Sequence, residues 1–97
     1  MSKLEKEIES KLKDLVEDYG GKCLKWTCPG WRGVPDRIVL MPRGRVYFVE
    51  LKRPNGGRLS EMQKWWHKVL RERGFWVFCI HSEEELETFE TIIKNKL

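Results

Sequence analysis

Asp36, Glu50 and Lys52 sit at the ends of two apolar runs, VPDRIVLM (Val34 to Met41) and RVYFVELK (Arg45 to Lys52). Side chains two apart on a strand point the same way, so Glu50 and Lys52 share one face with Cα atoms roughly 6.6 Å apart. If the two runs fold back on each other around Pro42, Arg43 and Gly44, Asp36 arrives close to Glu50 or Lys52. Two carboxylates held together in a partly buried place raise each other's proton affinity, and desolvation adds to the cost. A divalent cation removes that conflict. Mg²⁺ takes one or two carboxylates from a protein and leaves its other positions to water and phosphate oxygens. Such an ion would hold a scissile phosphate and activate a water, while Lys52 would orient or help deprotonate that water and balance charge on the phosphate. The chemistry implied is phosphodiester hydrolysis. The competing reading is a Glu50–Lys52 salt bridge on a solvated strand end, with Asp36 a turn residue after Pro35. The run VYFVEL, with no polar side, argues against an exposed strand.

The elements that must position these residues follow from periodicity. Leu4, Ile8, Leu12, Leu15, Val16 and Tyr19 recur near helical spacing, Ser2 can cap them and Gly20 with Gly21 supplies a stop, which predicts a helix from about Lys3 to Tyr19. KCLKWTC (Lys22 to Cys28) alternates like a strand, and PGWRG (Pro29 to Gly33) reads as a loop. The hairpin of VPDRIVLM and RVYFVELK comes next, supported by its β-branched and aromatic residues. RPNGGR (Arg53 to Arg58) breaks the pattern. Ser60 and Gln63 stand at capping-box spacing before a second helix with an apolar stripe of Met62, Trp66, Val69 and Leu70, ended by Gly74. Phe75 to Ile80 is a short dense strand. Ser82 and Glu85 repeat the capping-box spacing ahead of a last helix carrying Leu86, Phe89, Ile92 and Ile93. The order is αβββαβα. Three strands on short loops should form an antiparallel meander, and the strand–helix–strand unit should be a right-handed parallel crossover, so the sheet is expected to be mixed with helices packed on it.

Length and composition set the frame. Ninety-seven residues suggest one domain, 1–97, with a single core. Hydrophobic residues make up 40% and charged residues 35%, and no apolar run approaches the roughly 18 residues of a membrane span. The start, MSKLEKEIES, is charged where a signal peptide would be apolar, so the expected location is the cytoplasm. Cys23, Cys28 and Cys79 have no zinc-ligand spacing, nor do His67 and His81, and the thiols are expected to be free. A net charge of +4 and a pI near 9.1 favour an anionic partner, nucleic acid first.

At this point the chain resembles a known family. Pro35–Asp36 with Glu50, Leu51 and Lys52 fits the PD-(D/E)xK nuclease signature, and GVPDRIVL, VYFVELKRP and LSEMQ in that order resemble the virus-type replication-repair nuclease domain, VRR-NUC. The resemblance runs from Glu5 through His81. It implies a restriction-endonuclease-like α/β fold, a mixed sheet of four strands flanked by helices, with Mg²⁺ dependence, Mn²⁺ as a substitute, and DNA as the partner. Small standalone members are similar to this chain in length and are associated with homodimers that cut four-way (Holliday) junctions. Metal contacts are implied at Asp36, Glu50 and Leu51, with Lys52 as the catalytic lysine and a glutamate on the first helix. At about 100° per residue Glu5 falls amid the apolar stripe, Glu9 at its edge and Glu7 outside, which selects Glu5. An acid near a helix N-terminus is the alternative. Gln63 is either the family's helix glutamine or only the capping partner of Ser60. Lys25, Arg32, Arg37, Arg53 and Arg58 are candidate phosphate contacts, with Arg43 and Arg45 in the same basic set, against a solvated rim. Trp31 could stack at a branch point and Trp65 could meet a second subunit, with core or loop packing as the alternative for each. Two rival functions remain: a nucleic-acid-binding module that does not cut, and a duplex or flap nuclease without junction preference.

Overall fold

A computed structural model describes residues 3–54 and 57–97. The chain runs α1 (Lys3–Asp18), β1 (Lys22–Lys25), β2 (Arg37–Met41), β3 (Arg45–Leu51), α2 (Glu61–Glu72), β4 (Trp76–Ile80) and α3 (Glu83–Asn95). The expected order αβββαβα is the observed one. The sheet order is β1-β2-β3-β4, with antiparallel pairing through β3 and a parallel β3–β4 pair joined by α2. One 3₁₀ turn, Pro42–Gly44, closes the β2–β3 hairpin, with Arg43 at φ 69° and Gly44 at φ 73°. Left-handed backbone at two successive positions lets so short a turn reverse the chain, and only the second is a glycine.

Strand alternation sorts side chains onto two layers. Val39, Met41, Tyr47, Val49 and Leu51 face Ile8, Leu12 and Val16 of α1 and Leu86, Phe89 and Ile93 of α3. Phe48, with Ile38 and Val46 beside it, faces the other way and packs with Val77, Trp26 and Leu70 of α2. Burial is continuous from Tyr47 to Leu51, as a central strand covered on both faces requires. Asp36 and Glu50 therefore belong by parity to the α2 face, and Arg37 to the α1 face.

Three local expectations are corrected. β1 stops at Lys25, and pairing continues only through the Trp26 N–H, which donates to the Asp36 carbonyl at 2.8 Å. The next residue on the neighbouring strand is Pro35, which has no N–H to offer, so the ladder cannot extend to Cys28. On α2 the exposed residue is Met62 and the fully buried one is His67, because the inward face follows Gln63, His67 and Leu70. At α3 the Ser82 hydroxyl accepts from the Glu85 N–H, but the Glu85 carboxylate turns to the His81 N–H at 2.6 Å, leaving half of the expected capping box. The three cysteines are free thiols. Ser2, expected to cap α1, the side chain of Leu4, and Asn55 and Gly56 of the expected break lie outside the described residues. No helix among the described residues is long and apolar enough to cross a membrane.

Candidate active site

A pocket of about 650 Å³ opens where β2 and β3 end, between α1 and the N-terminus of α2. The β2–β3 register pairs Arg37 with Val49, so the next position sets Asp36 opposite Glu50. Directly opposed residues of an antiparallel pair project to the same face, so the two carboxyl groups come together and Asp36 raises the proton affinity of Glu50. The arrangement that the apolar runs implied is thus present. Asp36 Oδ2 also accepts from the Leu51 N–H at 2.9 Å, which fixes its carboxylate against β3.

Glu50 is 2% exposed, and its Oε1 has no hydrogen-bond partner among the described residues. Burial, then the hydrogen bond and charge of Asp36, push its carboxyl up to about 9, against the opposing pull of Lys52 and Arg37. At neutral pH, without a cation, the pair therefore keeps one proton. Two buried carboxylates side by side resist ionising together, and a bound cation would relieve that conflict.

Lys52 lies one residue beyond β3, and its N–H donates to the Ile80 carbonyl at 3.0 Å, continuing the parallel ladder by one step. Its Nζ donates to Gln63 Oε1 at 3.0 Å. That same oxygen accepts from the Ser60 N–H at 2.8 Å, while the Gln63 N–H donates to Ser60 Oγ at 3.2 Å, so the capping box is complete. The two readings of Gln63 are one arrangement: the residue that starts α2 also holds the lysine. Gly33 adds to this. At φ +88° it lies so near α2 that a Cβ would come within 2.7 Å of the Met62 carbonyl carbon and 2.9 Å of the Gln63 nitrogen.

The remaining predicted residues divide. Glu5 lines the pocket from the first turn of α1, while Glu7 is exposed. Lys25, Arg53 and Arg58 line it as exposed cations. Arg32 is exposed in the loop beyond the lining, next to Trp31. Arg37 departs from the expected basic rim: it is buried, its guanidinium forms an ion pair with Glu9 of α1, and it also donates to the Asp36 carbonyl at 3.1 Å. Parity explains this, since Arg37 faces α1 and meets an acid there. Glu9 is the residue the sequence reading passed over. It lies one turn after Glu5 and lines the same pocket, and no periodicity within α1 or β2 carries the approach that brings it to Arg37. His67, one turn after Gln63, is fully buried behind the site with neither ring nitrogen partnered among the described residues, and burial, Arg71 and Lys52 lower its proton affinity.

Comparison with known proteins bears on the whole of this arrangement. A protein of Acyrthosiphon pisum secondary endosymbiont phage 1 named "Putative nuclease p44" is 39% identical over 80 residues, covering 82% of this chain and 85% of its own length. A solved structure described as a VRR_NUC domain superposes with a TM-score of 0.84 at 30% identity, covering 90% of this chain and 94% of its own. The sequence profile of the VRR-NUC domain matches residues 2–84, which contain every residue of the pocket. This chain belongs to the VRR-NUC nuclease family.

Proposed function

We propose that the chain is a metal-dependent, structure-specific DNA endonuclease that hydrolyses phosphodiester bonds, acting on four-way junctions as a homodimer inside a bacterial or phage-infected cell. The observation that carries the reading is the Asp36–Glu50 pair set beside a lysine that Gln63 holds in place. The donors suit a hard cation. Glu50 Oε1 is a buried oxygen with no partner among the described residues, and the surrounding donors are oxygens rather than thiols or imidazoles. Among the described residues no group of three His, Cys, Asp or Glu side chains forms a cage, so the protein's share is two carboxylates and the main-chain oxygen of Leu51. When bound, Mg²⁺ or Mn²⁺ supplies positive charge to a phosphate oxygen and acidifies a water.

The chain's own residues do the rest. Asp36 is held by the Leu51 N–H in the position that meets Glu50, so neither carboxylate has to be ordered when substrate arrives. Lys52 directs one of its three ammonium N–H donors to Gln63 Oε1 and keeps two for the attacking water and a phosphate oxygen. Glu5, on the far wall of the pocket, acts on the cation or its water, and Glu9 neutralises Arg37 so that β2 and α1 stay joined beneath the site. Lys25, Arg53 and Arg58 grip backbone phosphates without reading bases. A homodimer is supported by the substrate's symmetry, since paired incisions need two sites and this pocket is one.

The test is cleavage of a four-way junction, a flap and a linear duplex by purified protein with Mg²⁺ or Mn²⁺. The junction should be nicked fastest. Asp36→Ala and Lys52→Ala should abolish cutting while leaving junction binding largely intact. Full cutting by both variants would overturn the assignment, and equal rates on all three DNAs would remove the junction preference while keeping the hydrolase.

A further inference from the structure

Beside the pocket three indoles come together that the hydrolytic machinery does not use. Trp31, in the β1–β2 loop, is 55% exposed, and Trp65, on α2, is 46% exposed. Their planes are parallel to within 10°, with centroids 6.4 Å apart. Trp66 stands edge-on to both, at 5.6 Å from Trp31 and 5.1 Å from Trp65. One partly buried indole thus braces two exposed ones and fixes their shared tilt.

We propose that Trp31 and Trp65 form a stacking platform for an unpaired nucleobase of the strand whose phosphate enters the pocket. The inference rests on the nuclease reading and adds to it a feature of the substrate, a base freed from pairing close to the cut. Continuity with the site supports it. Gly33, two residues after Trp31, lies against the Met62 and Gln63 backbone, and Gln63 holds Lys52. The loop that carries the platform and the lysine's anchor are therefore one packed unit. Charge supports the same occupant. Arg32 adjoins Trp31, and Lys64 and Lys68 flank Trp65 on the exposed side of α2, where Glu61, paired to Lys64 at 3.3 Å, and Glu72 at the far end of the helix offset part of that charge. A polyanion is drawn to such a surface, whereas a second copy of this chain would bring the same cations against it. Aromatic faces also accept any base, which suits recognition of structure rather than sequence.

The experiment uses duplex DNA with 2-aminopurine either at an unpaired position next to a flap or within a fully paired stretch, titrated with protein in EDTA so that nothing is cut. The wild type should quench the unpaired probe far more than the paired one. Trp31→Ala and Trp65→Ala should each weaken binding of the unpaired-base DNA by roughly 5- to 150-fold, the range expected from losing one base–aromatic stack. The paired duplex should lose much less. Trp31→Phe, which keeps an aromatic face, should recover most of the affinity and the quenching. Equal losses on both DNAs, with a lowered Tm, would mean the indoles only support the fold, and no loss on either would mean they are idle; each overturns the platform. The nuclease reading is scored separately by metal-dependent cutting of a four-way junction, a flap and a linear duplex: probe quenching that depends on Trp31 without cutting of any of the three would keep the platform and remove the nuclease.

Discussion

Glu50 is the residue whose protonation decides what the pocket can hold. Its carboxyl, ordinarily near 4.5, is pushed up to about 9 by burial and by Asp36, so the folded protein keeps a proton there that the unfolded chain releases. Between those two values the native state binds more protons than the unfolded state, and stability must fall as pH rises. The contribution is fully present below about pH 4.5 and is lost progressively toward pH 9, with a limiting slope of about 1.4 kcal/mol per pH unit for one proton. Thermal unfolding in EDTA should therefore show Tm dropping from pH 6 to pH 8, and Glu50→Gln, which keeps the shape without the ionisation, should flatten that drop while eliminating cutting. Added Mn²⁺ should raise Tm of the wild type more at pH 8 than at pH 6, because the cation takes the place of the proton. A wild-type Tm that is level across this range would show that Glu50 is solvated after all. The placement of these acids was legible because a carboxylate ending the run VYFVEL has to be buried. The pairing of Arg37 with Glu9 was not, since it depends on how far α1 leans over the end of β2, and no periodicity within either element carries that distance.

The element that joins stability to chemistry is the first turn of α2. Ser60 and Gln63 satisfy two of its free N–H groups, and the Gln63 side-chain Oε1 also accepts a hydrogen bond from Lys52 Nζ. These two roles can be pulled apart by mutation. Ser60→Ala removes the hydroxyl that accepts from the Gln63 N–H but leaves the Ser60 backbone N–H in place to orient the Gln63 side chain. It should cost about 1 kcal/mol of stability, as N-cap truncations do, with a small change in cleavage rate. Gln63→Ala removes the side chain that Lys52 leans on, so it should lose comparable stability and, in addition, lower kcat by roughly 100-fold, the lower end of the range for a positioned proton-transfer group. Stopped assays at saturating DNA together with thermal melts would resolve the pair; identical kinetics in the two variants would show that Lys52 needs no anchor. The α2 boundary itself was readable from the Ser60 and Gln63 spacing. Its buried face was read in part: Leu70 is buried and Trp66 and Val69 are half-buried, but Met62 looks like a core residue by hydrophobicity and is exposed, while the helix turns His67 inward. A histidine carries no sign in sequence of which face will claim it, and the choice is made by the β1–β2 loop resting on Met62 and Gln63 through Gly33.

Across the whole molecule, charge is unevenly distributed. Lys25, Arg53 and Arg58 surround the acidic pair at the pocket, while Asp14, Asp18, Glu83, Glu87 and Glu90 gather along the groove between α1 and α3. Lys11 bridges that groove through its ion pair with Glu83, and Tyr19 donates to Glu90 at 2.8 Å, so the acidic side is tied into the packing of the two helices. A net charge of +4 understates the attraction at the pocket, because the groove offsets part of it. A polyanion approaching this surface is steered toward one side of the molecule and repelled from another. Neutralising Lys25, Arg53 and Arg58 together should therefore weaken DNA binding for every substrate alike. The dependence of log K on log salt should become shallower by about 0.9 for each phosphate contact removed. The triple variant should remain folded, since all three side chains are exposed, and its preference between unpaired and paired DNA should match that of the wild type. That pattern is the converse of the one expected for the indoles, whose loss should alter preference and leave the salt slope in place. Filter binding over a range of salt concentrations separates the two contributions, and an unchanged slope in the triple variant would show that the phosphates cross the molecule elsewhere.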